Sequence, residues 1–185
     1  SRGMFQWQKG RGIVRRWTTA EGLPGNEIWG VCADGKGGLW IGSDRGLAQL
    51  RGGEIRRYPK FKDGRMVQIL RDGSSFLLAN DRGIIRIDSE GQELNRVNFS
   101  KYDLSGDVVV LARAAGRVLV GTSRGVWELQ GPTLNRIHAD APFASVEVLS
   151  LYAHRSAELW VGTSKGLYIQ RQGKWDLLAA PDDLP

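Results

Sequence analysis

Gly38-Leu39-Trp40-Ile41-Gly42-Ser43-Asp44-Arg45-Gly46-Leu47 is a stretch that this chain uses more than once. It returns as Phe76-Leu77-Leu78-Ala79-Asn80-Asp81-Arg82-Gly83-Ile84, as Val118-Leu119-Val120-Gly121-Thr122-Ser123-Arg124-Gly125-Val126, and as Leu159-Trp160-Val161-Gly162-Thr163-Ser164-Lys165-Gly166-Leu167. The glycine that closes each copy falls at 46, 83, 125 and 166, so successive copies stand 37, 42 and 41 residues apart. A period near forty filled with short apolar runs indicates stacked blades of strand rather than one irregular core.

Working outward from Trp40, each period reads as four strands. Ile28–Ala33 is the first, Leu39–Gly42 the second, Leu47–Leu50 the third and Glu54–Tyr58 the fourth. Ser43-Asp44-Arg45-Gly46 is a tight hairpin turn in which Gly46 suits positive φ. The last period repeats the scheme at Val146–Ala153, Leu159–Gly162, Leu167–Gln170 and Trp175–Leu178. The second and third copies are degenerate: Leu77 and Leu119 replace the tryptophan, and Ala79 replaces the first glycine. Runs such as Val108–Leu111 and Val118–Val120 predict strands buried on both faces, whereas the polar fourth strands predict outer edges. No stretch has helical periodicity of useful length.

The phase of the repeat adds a second expectation. Residues 2–18 align only with the second half of a period, Arg2 to Trp7 on Arg45 to Leu50, with Ile13–Trp17 as a fourth strand. The predicted architecture is an all-β propeller fragment of about four and a half four-stranded antiparallel blades, treated as one domain over 1–185. The blades are expected at 2–18 (half), 22–58, 65–98, 106–137 and 145–178. Both ends read as cuts within a longer array, which predicts unpaired blade edges through which the chain self-associates.

Composition narrows the function classes. The chain has 185 residues, 41% of them hydrophobic and 25% charged, which is a globular balance. Its net charge of +6 is spread one or two cations per strand or turn. The nearest cluster is Lys9, Arg11, Arg15 and Arg16, and no nucleic-acid-binding module accompanies it, so nucleic acid is not an expected partner. The single cysteine, Cys32, sits in an apolar run and reads as a small buried side chain. The only histidines, His138 and His154, lie 16 residues apart without carboxylate or thiol neighbours at ligand spacing, so neither a metal site nor a cofactor is expected. No apolar stretch approaches the roughly 20 residues of a membrane span. No nucleophile elbow, phosphate loop or triad stands out.

Gly22-Leu23-Pro24-Gly25-Asn26-Glu27-Ile28, followed by Asp34-Gly35 and the Gly38–Leu47 stretch, closely resembles the two-component regulator propeller repeat. The resemblance is strong at 22–58 and 158–178, moderate at 118–137 and weak at 76–98. It implies the extracytoplasmic, periplasmic sensor portion of a membrane-anchored bacterial signalling protein, whose output domain would be a histidine kinase or diguanylate cyclase not present in this chain. It also implies a small-molecule or oligosaccharide ligand. The expected function is therefore a non-enzymatic ligand-sensing module. The alternatives are a protein-interaction scaffold and, third, a propeller lyase or glycosidase.

The motif residues themselves have structural explanations. Trp40 and Trp160 are expected to pack between blades. Asp44 and Asp81 are expected to shape their turns by bonding backbone N–H groups. Gly42, Gly46, Gly83, Gly121, Gly125, Gly162 and Gly166 complete the structural set. Innermost strands of a propeller line its channel, so a ligand site is expected where the chain enters them. The candidates there are Asn26, Glu27 and Trp29 in the first whole blade, Arg65 in the second, Asp107 in the third and Glu147 in the fourth.

Overall fold

The computed structural model describes residues 3–62, 64–104, 110–154 and 158–180. Apart from two short 3-10 turns at Pro59–Phe61 and Phe99–Tyr102, its regular structure is strand. A two-stranded sheet pairs β1 (Met4–Gln8) with β2 (Gly12–Trp17). Four four-stranded sheets follow, each a meander in chain order. They are β3 (Ile28–Ala33), β4 (Leu39–Ser43), β5 (Gly46–Arg51) and β6 (Glu54–Tyr58). Next come β7 (Met66–Asp72), β8 (Ser75–Asn80), β9 (Gly83–Ile87) and β10 (Glu93–Asn98). The last two are β11 (Val110–Ala114) to β14 (Thr133–Arg136), through β12 (Arg117–Thr122) and β13 (Gly125–Gln130), and β15 (Val148–Ala153) to β18 (Lys174–Ala179), through β16 (Leu159–Thr163) and β17 (Gly166–Arg171). The chain is an all-β propeller array of four and a half antiparallel blades.

Burial follows the strand order. Three of the four second strands are closed on both faces: β4 and β8 carry a run of buried side chains, as do the last five residues of β12, whereas β16 alternates buried and half-buried residues. Fourth strands are mostly exposed, as β6, β14 and β18 illustrate. The last first-strand begins at Val148, two residues later than the sequence pattern predicts, because Phe143 to Val146 form turns closed by Val146 N–H on the Phe143 carbonyl. Of the Val108–Leu111 run, residues 108 and 109 lie outside the described set; Val110 and Leu111 open β11.

The chain divides into two compact units, Ser1–Asp81 with Ile85–Leu94, and Arg82–Ile84 with Asn95–Pro185. In the first unit, Trp17 packs with Leu23, Ile41 and Leu50 and ties β1–β2 to the β3–β6 sheet. Trp40, Leu47, Tyr58 and Phe61 pack with Met66, Ile69, Phe76 and Leu78 and tie the β3–β6 sheet to the next. Trp40 is fully buried, with ring centroids 5.0 Å from Tyr58 and 5.7 Å from Phe76, an aromatic cluster whose burial stabilises by about 2–3 kcal/mol per ring. In the second unit, Leu119 and Val126 meet Val148, Val161 and Tyr168 through Phe143.

Close approach of the next sheet explains the first glycine at 42 and 121. A Cβ on Gly42 would stand 2.7 Å from Cβ of Met66 in the next sheet, and one on Gly121 would meet Val148 Cγ1 at 2.5 Å. The second glycine has a different basis. Gly46, Gly125 and Gly166 have φ of +117°, +85° and +126°, which disfavours any other residue. Gly83 is not in that region; there a side chain would collide with the Val97 carbonyl.

Candidate functional site

The first strand of a blade alternates, and in β3 the alternation sends Trp29 and Val31 outward while Ile28 and Gly30 turn in. Trp29 has a further distinction. Ile28 pairs with Ser43 and Gly30 with Gly42, so Trp29 is the extra residue of a β-bulge, a device that re-aims a side chain. The same shift leaves Val67 unpaired in β7 and Leu149 in β15. Gly30 permits the β3 backbone to approach β7, since a Cβ there would lie 3.2 Å from Ile69 N. That approach brings the residue preceding β7 over the bulge: Arg65 Cζ stands 4.6 Å from the Trp29 ring centroid. The indole is 48% exposed and Arg65 is exposed. The pair is a cation–π contact open to solvent.

Beside it, Gly3, Asn26, Glu27, Ile28 and Trp29 line a cavity of about 260 Å³. Two of these side chains also have local work. Asn26 Oδ1 accepts the Thr19 N–H at 2.8 Å and its amide donates to Thr19 Oγ1 at 3.4 Å, which pins the connection from the half-blade. The Glu27 carbonyl accepts the Asp44 N–H at 3.0 Å, and the Glu147 carbonyl accepts the Ser164 N–H at 3.1 Å at the equivalent place in the second unit. Both side chains are exposed. Four of the six sequence candidates, Asn26, Glu27, Trp29 and Arg65, are thus together in the first unit; Glu147 is in the second unit, and Asp107 lies outside the described residues.

The turn residues need a correction. Asp44 and Asp81 are expected to bond turn N–H groups through their carboxylates, but Oδ1 of each is buried without a hydrogen-bond partner, facing Gly25 and Gly64 respectively. The hairpins are closed by the preceding residue instead. Ser43 Oγ accepts the Arg45 N–H at 3.2 Å and donates to the Gly46 carbonyl at 3.1 Å. Thr122 does the same with Arg124 and Gly125, and Thr163 with Lys165 and Gly166. The signal was present in the sequence as a hydroxyl three residues before the glycine in three of four copies. Trp40 lies between sheets, whereas Trp160 is only half-buried.

Each full sheet also carries one carboxylate–guanidinium pair between its early and third strands: Asp34–Arg51, Asp72–Arg86, Arg117–Glu128 and Glu158–Arg171. The most buried is Asp34, whose carboxylate accepts the Lys36 and Gly38 N–H groups at 2.8 and 2.7 Å, Gln49 at 3.1 Å and Arg51 at 3.0 and 2.8 Å. Burial pushes its pKa up, but the hydrogen bonds from Lys36, Arg51 and Gly38 outweigh that and hold it below the usual range. Glu21, Glu90 and Glu128 are likewise lowered, by bonds from Thr18, Lys36 and Arg117. Among the described residues no group of three or more His, Cys, Asp or Glu is placed to hold a metal, and no helix is long and apolar enough to cross a membrane.

Residues 22–45 match the family model described as two component regulator propeller. No curated protein matches the chain. Among solved structures, the chain is similar to the extracellular domain assigned to the hybrid two-component system BT4673 of B. thetaiotaomicron, with 19% identity, a TM-score of 0.76, and 92% of this chain and 25% of that chain covered. The corresponding domain of BT3049 from the same organism gives 15% identity, a TM-score of 0.69 and coverages of 96% and 24%. The WD40 propeller domain of Doa1 gives 13%, 0.67, 92% and 58%. The chain thus spans about a quarter of the length of the two B. thetaiotaomicron domains, and at these identities the likeness is one of fold. With one repeat matched in sequence and the blades matched in structure, the chain is a β-propeller array whose residues 22–45 match the two component regulator propeller repeat.

Proposed function

We propose that the chain is a ligand-sensing module from the extracytoplasmic, periplasmic part of a membrane-anchored bacterial signalling protein, and that it acts by binding rather than by catalysis. The repeat at residues 22–45 and the likeness to extracellular domains of two-component systems support that setting. The observation that carries the binding role is the bulged, half-exposed Trp29 with Arg65 over its ring, beside the cavity that Asn26 and Glu27 line. An indole face offers a platform for the apolar face of a sugar ring, and the flanking cation and carboxylate orient hydroxyls. The ligand class is a small polar molecule or oligosaccharide. Occupancy would bias the population of states of a linked output domain in proportion to the difference in affinity between them.

A thermal-shift screen against oligosaccharides, followed by calorimetry on each hit, tests this. Trp29→Ala should weaken a hit by about tenfold or more, the value of one lost aromatic contact, and Arg65→Ala by somewhat less. Hits that bind both variants with unchanged affinity would overturn the site.

A second reading, a protein-docking scaffold that also self-associates, draws on one observation. Phe5, Trp7, Ile13 and Val14 stand exposed on the two-stranded sheet. Light scattering that grows with concentration, and is lost in Trp7→Ser, would favour it; a monomer at all concentrations would remove self-association.

A further inference from the structure

The two histidines, far apart in sequence, line one cavity of about 390 Å³ within the second unit, together with Ala114, Arg117 and Gln170. Leu119, Ile137 and Leu159 give it an apolar floor. The absence of local ligand spacing did not predict this; sheet register and the loop after β14 bring them there.

Comparison of the blades shows how the cavity arises. The residue that closes the first strand is an equivalent position in all four full sheets, opposite the start of the second strand: Asp34, Asp72, Ala114 and His154. Asp34 N–H bonds the Gly38 carbonyl and His154 N–H bonds the Glu158 carbonyl, both at 2.9 Å, so the main chain is the same at both. In the first unit the position holds a carboxylate, and each is occupied by an arginine of its own sheet, Arg51 or Arg86. In the second unit it holds a truncated side chain and an imidazole. A third departure lies opposite: Leu39 pairs with Leu50, but its counterpart Leu159 pairs with Gln170, so an amide stands where the repeat has a buried leucine. All three departures border the same cavity. His138 closes it from the loop, with φ of +53° and its ring edge-on to Trp175 at 5.2 Å.

The chemistry of the lining selects among ligands. No carboxylate is among the lining residues, so a cation finds no counter-charge there. The lining cation, Arg117, is held by both oxygens of Glu128 at 2.8 and 2.5 Å, which fixes its plane and offsets its charge. The charged groups nearby are Arg117 on β12, Glu128 on β13, Asp140 in the loop, and the Glu158–Arg171 pair of the last sheet. The imidazole of the lining whose environment is defined is His138. Burial lowers the His138 pKa by disfavouring its imidazolium, with Arg117 acting in the same direction and Asp140 opposing.

We propose that this cavity is a binding site for a small organic carboxylate with an apolar body, separate from the Trp29–Arg65 mouth. The apolar part lies on Leu119, Ile137 and Leu159, the carboxylate meets the His138 imidazole, the Gln170 amide and Arg117, and binding takes up a proton on His138. The volume suits a ligand of about one ring.

The chain's two histidines make the test direct, because each gives one imidazole Hε1 resonance in proton NMR. Benzoate is the probe and benzamide its neutral isostere. Benzoate should shift both resonances saturably at about pH 6 and bind about tenfold more weakly at about pH 8, as proton-linked anion binding requires. Gln170→Leu installs the residue that β5 uses and should lower the affinity at least about tenfold in a chain whose amide spectrum is otherwise native. Ala114→Asp installs the carboxylate of the first unit and should abolish binding by repulsion, which keeps the test decisive if Gln170→Leu does not fold. Absence of saturable shifts by about 10 mM, equal binding of benzamide, or benzoate affinity unchanged in whichever variant folds would each overturn the proposal.

Discussion

Replacing Asp34 by alanine removes the acceptor for five hydrogen bonds, but the cost is set by the donors that cannot reach water. Gly38 N–H is buried and Gln49 is 4% exposed, so both would be left without the acceptor they use at 2.7 and 3.1 Å. Lys36 N–H and the Arg51 guanidinium lie nearer solvent and would rehydrate, so they add little. A buried donor without a partner costs about 1–3 kcal/mol, which gives about 2–6 kcal/mol for the two. Gln49 Oε1 also accepts the Tyr58 hydroxyl at 3.2 Å, and Tyr58 packs on Trp40, so the loss should spread into the core of that blade. Urea denaturation followed by tryptophan fluorescence gives the change, and hydrogen exchange at the β4–β5 amides locates it. The pH dependence supplies a check on the cause. The carboxyl is held below its unfolded value, so its stabilisation is complete above about pH 4 and is lost as pH falls through the lower folded value. The gap between wild type and Asp34→Ala should therefore narrow in acid, by the part of the stabilisation that depends on ionisation. A change below about 1 kcal/mol, or a difference that persists unchanged in acid, would refute the reasoning.

Two further perturbations follow from the packing. Gly42→Ala should lower the urea midpoint by the equivalent of about 1–3 kcal/mol, because its Cβ would overlap Cβ of Met66 in the adjacent sheet; a midpoint within error of wild type would count against the close approach. The folded pKa of His138 lies below its unfolded value of about 6.5, so the unfolded chain takes up the proton first and stability should decline as pH falls from about 6.5; His138→Asn, which suits the positive φ, should flatten that slope in melting-temperature measurements.

The blades were legible because their determinants are local. Alternation in Ile28–Ala33 and Glu54–Tyr58, apolar runs such as Leu77–Ala79, and glycines at fixed offsets lie within a few residues of the strands they define. The turn chemistry was half legible: the Asp44 carboxylate was assigned a task that the Ser43 hydroxyl performs, since both residue types can cap a turn and only the backbone path decides between them. The site residues were legible as separate names but not as a group. Trp29 meets Arg65 because a bulge at β3 and a glycine at 30 bring two sheets close, and neither is visible in side-chain pattern alone. Spacing does not reveal His138 and His154 as neighbours, because it measures distance along the chain rather than across paired strands.

The position that closes the first strand has a use for protein engineering. Its main-chain pairing is common to the four full sheets, but its side chains are not equivalent: Asp34 and Asp72 hold arginines of their own sheets, whereas Ala114 and His154 line a cavity. A residue exchanged at 114 or 154 alters the chemistry of that cavity without removing a carboxylate that buried donors use. A designer could therefore vary these two places together to rewrite the lining of one cavity, leaving the carboxylates of the first unit as part of the frame.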